Sequence, residues 1–358
     1  MSESPPLRGR EAELAVAGDL LRAVAAGAGA VLAIVGEAGI GKTALVAEIY
    51  ERAAAAGFAA GRGTAQEHGE IAPLTPLLVA LRSGRAPLLA ADDFGALAAY
   101  AERGFWLVDR LAVELRRRTA AQPLLICVED VQWADPLTRH ALRVLPGQAG
   151  ILWVTTGRAE AGPVPSRRLA LPALNTAVLG EIAADRLGAP AGPALRALIA
   201  GAGGNPGLVV SLVTGLLAEQ RPASGVMPDR LVRDVRARLR PLPAGTRALL
   251  HAAALLAATF TVDQIAAVLN GPPERVVLPW LDPAVRDGVL EDLGDHLRFR
   301  HDLLRRAVRA RRTTALIRTG EAPGDLNDTT DDPAAPPMAS STGCGPAPQP
   351  MRTAIESF

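Results

Sequence analysis

The stretch Val31-Leu-Ala-Ile-Val-Gly-Glu-Ala-Gly-Ile-Gly-Lys-Thr43 decides the fold. Its first five residues are apolar and rich in β-branched types, which predicts a buried strand. Gly36 to Thr43 then matches G-x-x-x-x-G-K-T, and Ala44-Leu-Val-Ala-Glu-Ile-Tyr50 continues as a helix. A strand, a glycine loop and a helix in that order predict a phosphate site. Backbone N–H groups along Gly36, Glu37, Ala38, Gly39, Ile40, Gly41, Lys42, Thr43 and Ala44 are expected to cradle phosphate oxygens at the positive helix end. Lys42 is expected to reach the β- and γ-phosphates, and the Thr43 hydroxyl to ligate Mg²⁺. The bland alternative is a glycine-rich turn without a ligand. The lysine, the threonine and both flanking elements weigh against it.

Pro123-Leu-Leu-Ile-Cys-Val-Glu-Asp130 is the second informative stretch, an apolar strand ending in two carboxylates. Beside a phosphate loop, Glu129 would hold the metal through water and Asp130 would orient the attacking water. Acids after a strand also serve as helix caps, so this signal gains its weight from Lys42. Asp135 and Pro136 follow, suited to cap and open the next helix. Ile151-Leu-Trp-Val-Thr-Thr156 predicts another core strand, ending at Gly157-Arg158. An arginine at the carboxyl edge of a parallel sheet can sense a γ-phosphate, or it can simply be a surface loop residue.

Shorter strands are expected at Phe58–Gly63 and Arg168–Leu171, and a long helix from about Leu97 to Arg118. Strands alternating with helices predict a parallel α/β sheet with helices on both faces over residues 1–172. Before the loop, Leu7-Arg-Gly-Arg-Glu-Ala-Glu-Leu14 opens a helix. Its Gly9-Arg10-Glu11 segment suits a cover over a base, or it is an exposed charged helix start.

From Asn175 the strands stop. Helices are expected through residues 173–240, interrupted by Gly203-Gly-Asn-Pro-Gly207, where Asn205 and Pro206 can act as N-cap and first helical residue. Residues 241–317 predict three short helices, then a hairpin at Val289–Arg300 around Gly294-Asp295, then a helix from His301. Three helices and a hairpin predict a winged helix. Its third helix, Glu274–Asp287, is expected to be broken by Pro279 and Pro283 and carries Asp282 and Asp287, so packing is favoured over entry into a DNA groove. Residues 318–358 are rich in Gly, Pro, Asp, Thr and Ser and are expected to be disordered.

Composition excludes several classes. A net charge of +1 gives no argument for nucleic acid or membrane binding. Two cysteines, Cys127 and Cys344, suggest neither disulfides nor a metal site. No stretch approaches the ~20 apolar residues of a membrane helix, and the start lacks the order of a signal peptide. A cytoplasmic protein is expected.

Taken together, these residues resemble the AAA-like ATPases of the STAND class found in large bacterial transcriptional regulators of the LuxR family. The matching segments are Gly9-Arg-Glu11, Gly36–Thr43, Val128–Asp135, Arg158, Gly204-Asn-Pro206 and Arg298–Arg305, and they span roughly residues 5 to 312. The resemblance implies an ATP/ADP·Mg²⁺ switch with slow hydrolysis, closed with ADP and opened for self-association by ATP. It also implies that Arg10 lies over the adenine, that Pro206 packs on it, that Arg158 senses phosphate and that His301 reaches the β-phosphate. The residues alone leave His301 equally readable as a helix N-terminal residue. Glu129 departs from the aspartate of much of the class, which implies slow turnover. Members of the group continue into helical repeats and a helix-turn-helix, whereas this chain passes near Thr313 into its low-complexity tail. A truncated or stand-alone switch is therefore expected. The competing readings are a DNA-binding regulator acting through its winged helix, a degenerate remnant without output, and, more weakly, a motor.

Overall fold

The apolar strands sort their side chains by strict alternation. In the computed structural model, Leu124, Ile126 and Val128 face one hydrophobic core while Leu125 and Cys127 face another. Ile151 and Trp153 divide from Leu152 and Val154 in the same way. A strand buried on both faces must be apolar at every position, which explains the continuous runs read in the sequence. The described residues are 6–67, 73–83, 87–90, 92–93, 104–158, 167–220, 227–269, 271 and 274–319.

Five parallel strands, β1 (Ala30–Val35), β2 (Ala59–Thr64), β3 (Leu124–Glu129), β4 (Ile151–Gly157) and β5 (Arg167–Ala170), form a sheet in the order β2-β3-β4-β1-β5. On one face lie α1 (Glu11–Ala25) and α2 (Lys42–Ala55). The other carries α3 (Thr75–Arg82), α4 (Gly104–Thr119) and α5 (Pro136–Val144). The α3 backbone sits directly on β2. A Cβ on Gly61 would strike the carbonyl of Ala80, and one on Gly63 the carbonyl of Pro76.

The strand order brings distant segments level. Val35 pairs with Gly157 and Val128 with Thr155, so the phosphate loop, Asp130 and Arg158 leave the sheet along one edge. Asp135 caps α5 by accepting from the N–H groups of Leu137 and Thr138, as its position before Pro136 predicts.

The remaining elements are helices α6 (Thr176–Leu187), α7 (Pro193–Ala200), α8 (Pro206–Ala218) and α9 (Asp229–Leu239), followed by α10 (Ala244–Ala253), α11 (Val262–Val268), α12 (Glu274–Arg286) and α13 (Asp302–Thr319). A three-stranded antiparallel sheet, β6-β8-β7, combines Thr259–Phe260 with the hairpin Leu290–Asp292 and Leu297–Phe299. One hydrophobic cluster runs through all of these elements, from Leu174 to Val308. Residues up to Thr313 form one compact unit.

Two expectations change. The helix over Glu274–Arg286 is unbroken and contains both Pro279 and Pro283. Burial of Val277, Leu281 and Ala284 on one face holds it despite the missing N–H donors. The hairpin also gains a third strand, β6, too short to carry a periodic signal. The expected helix start at Leu97 and the loop at 221–225 lie outside the described residues, and of the tail expected over 318–358, Arg318 and Thr319 close α13 while 320–358 lie outside them.

Replacement of Gly63 by Ala is expected to lower stability by about 1–3 kcal/mol, because the added methyl meets backbone that cannot move aside. Gly180→Ala, in the middle of α6 with nothing near its Cα substituent, is expected to raise it by roughly 0.5–1 kcal/mol. Urea denaturation of the two variants measures both.

Candidate functional site

The loop after β1 turns on two glycines in the left-handed region, Gly39 at φ 84° and Gly41 at φ 104°. Gly36 donates its N–H to the Gly157 carbonyl, which ties the start of the loop to the end of β4. Lys42 opens α2, and its Nζ donates to the carbonyls of Gly36 and Glu37, 2.9 Å each. Burial lowers its pKa, while the charges of Asp130 and Glu37 act the other way. Thr43 and Ala44 are exposed on the first turn of α2.

Two distant chain segments converge on this loop through one carboxylate. Glu37 accepts from Asn205 Nδ2 at 2.6 Å and lies 3.1 Å from His301 Nε2, while Arg300 Nη1 stands 4.0 Å away. Burial alone would raise the Glu37 pKa. The hydrogen bonds from His301 and Asn205, with the Arg238 charge, bring it below its ordinary value. Asn205 also donates to the Ala38 carbonyl, and its Oδ1 accepts from the Leu208 N–H as the cap of α8. Gly207 donates its N–H to the Gly39 carbonyl at 2.9 Å. A Cβ on Gly207 would stand 2.8 Å from Gly39 Cα, and one on Gly39 2.7 Å from Asn205 Oδ1. The Gly203–Gly207 stretch is thus both a helix start and a backbone-to-backbone seat for the loop. Pro206 is buried, with its Cγ 3.8 Å from where a Gly41 Cβ would be.

The two acids at the end of β3 have different surroundings. Glu129 is 2% exposed and forms an ion pair with Arg62 of β2. Asp130 adopts a left-handed conformation, φ 54°, that costs a non-glycine residue strain. Its N–H donates to Thr156 Oγ1, and its carboxylate accepts from Gln132. The strained turn leaves Asp130 acting on Lys42.

Arg158 pairs with Asp287, just past the end of α12, at 2.9 Å, and its guanidinium lies 5.7 Å from the centre of the Trp133 ring. Arg238 of α9 has Nη2 buried without a hydrogen-bond partner, and burial pulls its pKa down. Glu37, Arg158, Asp287 and Arg300 all act electrostatically on it. Arg10 is 1% exposed and donates to the carbonyls of Ile40 and Pro172, so its side chain braces the loop from beneath.

Sequence reading missed Arg62, Arg238 and Asp287 as site residues. Arg238 carries a signal, since it borders the buried stripe Leu231, Val235 and Leu239 within a basic helix. Arg62 and Asp287 carry none, because their partners are 67 and 129 residues away.

Glu37 has a depressed folded-state pKa, so its stabilising contribution is complete above the ordinary value of 4.5 and is lost as pH falls through the folded value. The stability advantage of the wild type over Glu37→Gln is expected to shrink below about pH 4.5, measured by urea denaturation across pH. Arg62→Met strands the buried Glu129 charge and is expected to cost on the order of 3 kcal/mol. Adding Glu129→Gln should recover most of that loss, which a double-mutant cycle measures.

Comparison with known proteins agrees with this geometry. Residues 6–154 match the family model described as AAA ATPase domain. No curated protein matches the chain. Among solved structures, the Walker-type ATPase of Pyrococcus abyssi is similar at 14% identity and TM-score 0.57, over 85% of this chain and 96% of that one. Weaker likenesses include the ORC1 protein of Aeropyrum pernix in complex with DNA (15% identity, TM-score 0.45, 88% of this chain and 95% of that one). Another is a STAND protein with a tetratricopeptide repeat sensor from Pyrococcus horikoshii (17%, TM-score 0.36, 90% and 46%). No helix among the described residues is long and apolar enough to cross a membrane. Residues 6–154 are thus similar to the AAA ATPase domain family, and the parallel sheet around the glycine loop has the P-loop fold.

Proposed function

We propose that the chain is a nucleotide-operated switch that binds ATP or ADP with Mg²⁺, hydrolyses ATP slowly, and serves as the regulatory module of a LuxR-type transcriptional regulator. The observation that carries this reading is the convergence on Glu37. A residue inside the phosphate loop is bonded both by Asn205, from the helical segment α6–α9, and by His301, from the terminal helix–sheet segment. In this reading α6–α9 act as a lid, and α10–α13 with their hairpin as a winged-helix domain. Occupancy of the loop then acts on both through Glu37.

The residues present suit a nucleotide polyphosphate. A loop with two left-handed glycines leads into a helix N-terminus, a desolvated lysine stands beside it, and one buried Arg238 nitrogen lacks an acceptor. Lys42 would exchange its two loop carbonyls for phosphate oxygens. Pro206 would border the adenine, and Arg10 would support that wall through Ile40 and Pro172 rather than by an open contact. His301, next to Glu37, would face the β-phosphate, and Arg158 the terminal one. Thr43 would hold the metal, with Glu129 acting through water. Mg²⁺ supplies charge neutralisation to the phosphate oxygens. The Arg62 partner of Glu129 and the strained placement of Asp130 support slow hydrolysis, because the first acid is already neutralised.

Titration of the purified chain with a fluorescent ATP or ADP analogue tests the reading. Lys42→Ala is expected to weaken both by about tenfold or more, since it removes charge-assisted hydrogen bonds to phosphate. Equal binding by wild type and variant would overturn the proposal.

A further inference from the structure

The Arg158–Asp287 pair joins the terminal segment to the residue that follows β4. Asp287 is held in place by its backbone. Its N–H donates to the Pro283 carbonyl, and the chain then reverses at Gly288, φ 68°, whose N–H donates to Val285 while that of Val289 donates to Ala284. That C-terminal cap of α12 leaves the Asp287 carboxylate little choice of position. Arg158 follows Gly157, whose carbonyl accepts from the first residue of the phosphate loop. Its charge acts on Lys42 as well as on Arg238. Arg158 is thus paired with Asp287 and, through Gly157, placed next to the start of the phosphate loop. Both partners are about one-quarter exposed, so the pair is neither locked in the core nor freely solvated.

From this geometry we infer that Asp287 sets the discrimination between nucleoside triphosphate and diphosphate, by competing with the terminal phosphate for Arg158. The inference rests on the nucleotide reading above and adds a specificity residue to it. A diphosphate leaves Arg158 on Asp287. A triphosphate brings a more highly charged anion beside Lys42, and Arg158 must leave Asp287 to meet it. Loss of that ion pair then opposes triphosphate binding. By linkage, triphosphate binding weakens the docking of the terminal segment by the same factor.

The prediction runs opposite to that for an ordinary ligand residue. Asp287→Asn removes the competing charge. It is expected to tighten binding of a non-hydrolysable ATP analogue by about five- to tenfold, within the usual range of coupling between sites. ADP binding should stay within about twofold of wild type on the same argument. Arg158→Ala should lose triphosphate affinity, and in Arg158→Ala/Asp287→Asn the gain should vanish. Asp287→Ser carries the same expectation should Asp287→Asn fail to fold. Calorimetric titration with each nucleotide gives the ratio directly. An unchanged ratio in Asp287→Asn, an equal change for both nucleotides, or a gain that persists without Arg158 would overturn the inference alone. Absence of binding of either nucleotide to the wild type would overturn the nucleotide reading and the inference with it.

Discussion

Everything around the candidate site depends on two backbones approaching without side chains between them. Gly207 donates to Gly39, and neither residue could carry a Cβ without displacing the other segment or Asn205. Hydrogen bonding at that range sets the position of the turn before α8 against the phosphate loop. Asn205 can then cap its own helix and reach Glu37 with the same side chain. A short polar seam of this kind is directional, whereas apolar packing is not.

Electrostatics works on that frame. Lys42, Arg158, Arg238 and Arg300 come from three parts of the chain, and Glu37, Asp130 and Asp287 are set among them. Partial desolvation strengthens each attraction and makes each unpaired group costly. The orphaned Arg238 nitrogen leaves this network one acceptor short. Glu129 stands outside it, already satisfied by Arg62. The two consecutive acids at the end of β3 therefore differ in character, although the sequence presents them as a pair.

Much of the α/β region was legible because its signals are local. Continuous apolar runs mark doubly buried strands, and left-handed glycines stand one residue before and one residue after Ile40, at Gly39 and Gly41. The Asp135 and Asn205 caps were equally readable from the prolines that follow them. What escaped was set by tertiary packing. Pro279 and Pro283 read as breaks, but burial on one face of α12 outweighs the lost hydrogen bonds. Glu37 read only as a loop backbone position, since nothing within its own stretch announces Asn205 and His301 as partners. Arg10 read as a cover over a base, yet its guanidinium is buried under the loop. Long-range ion pairs leave no periodic trace in a single chain.

The core that runs unbroken from Leu174 to Val308 has a mechanical corollary. Separating α6–α9 from the terminal elements would expose apolar side chains to water, at roughly 25 cal/mol for each Å². Parting either from the phosphate loop would break mainly polar bonds that water can replace at little net loss. The weakest plane in residues 6–313 therefore runs along the Glu37 face rather than through the helical core. Any separation along that face would carry the elements from Leu174 to Val308 together, because they share one core.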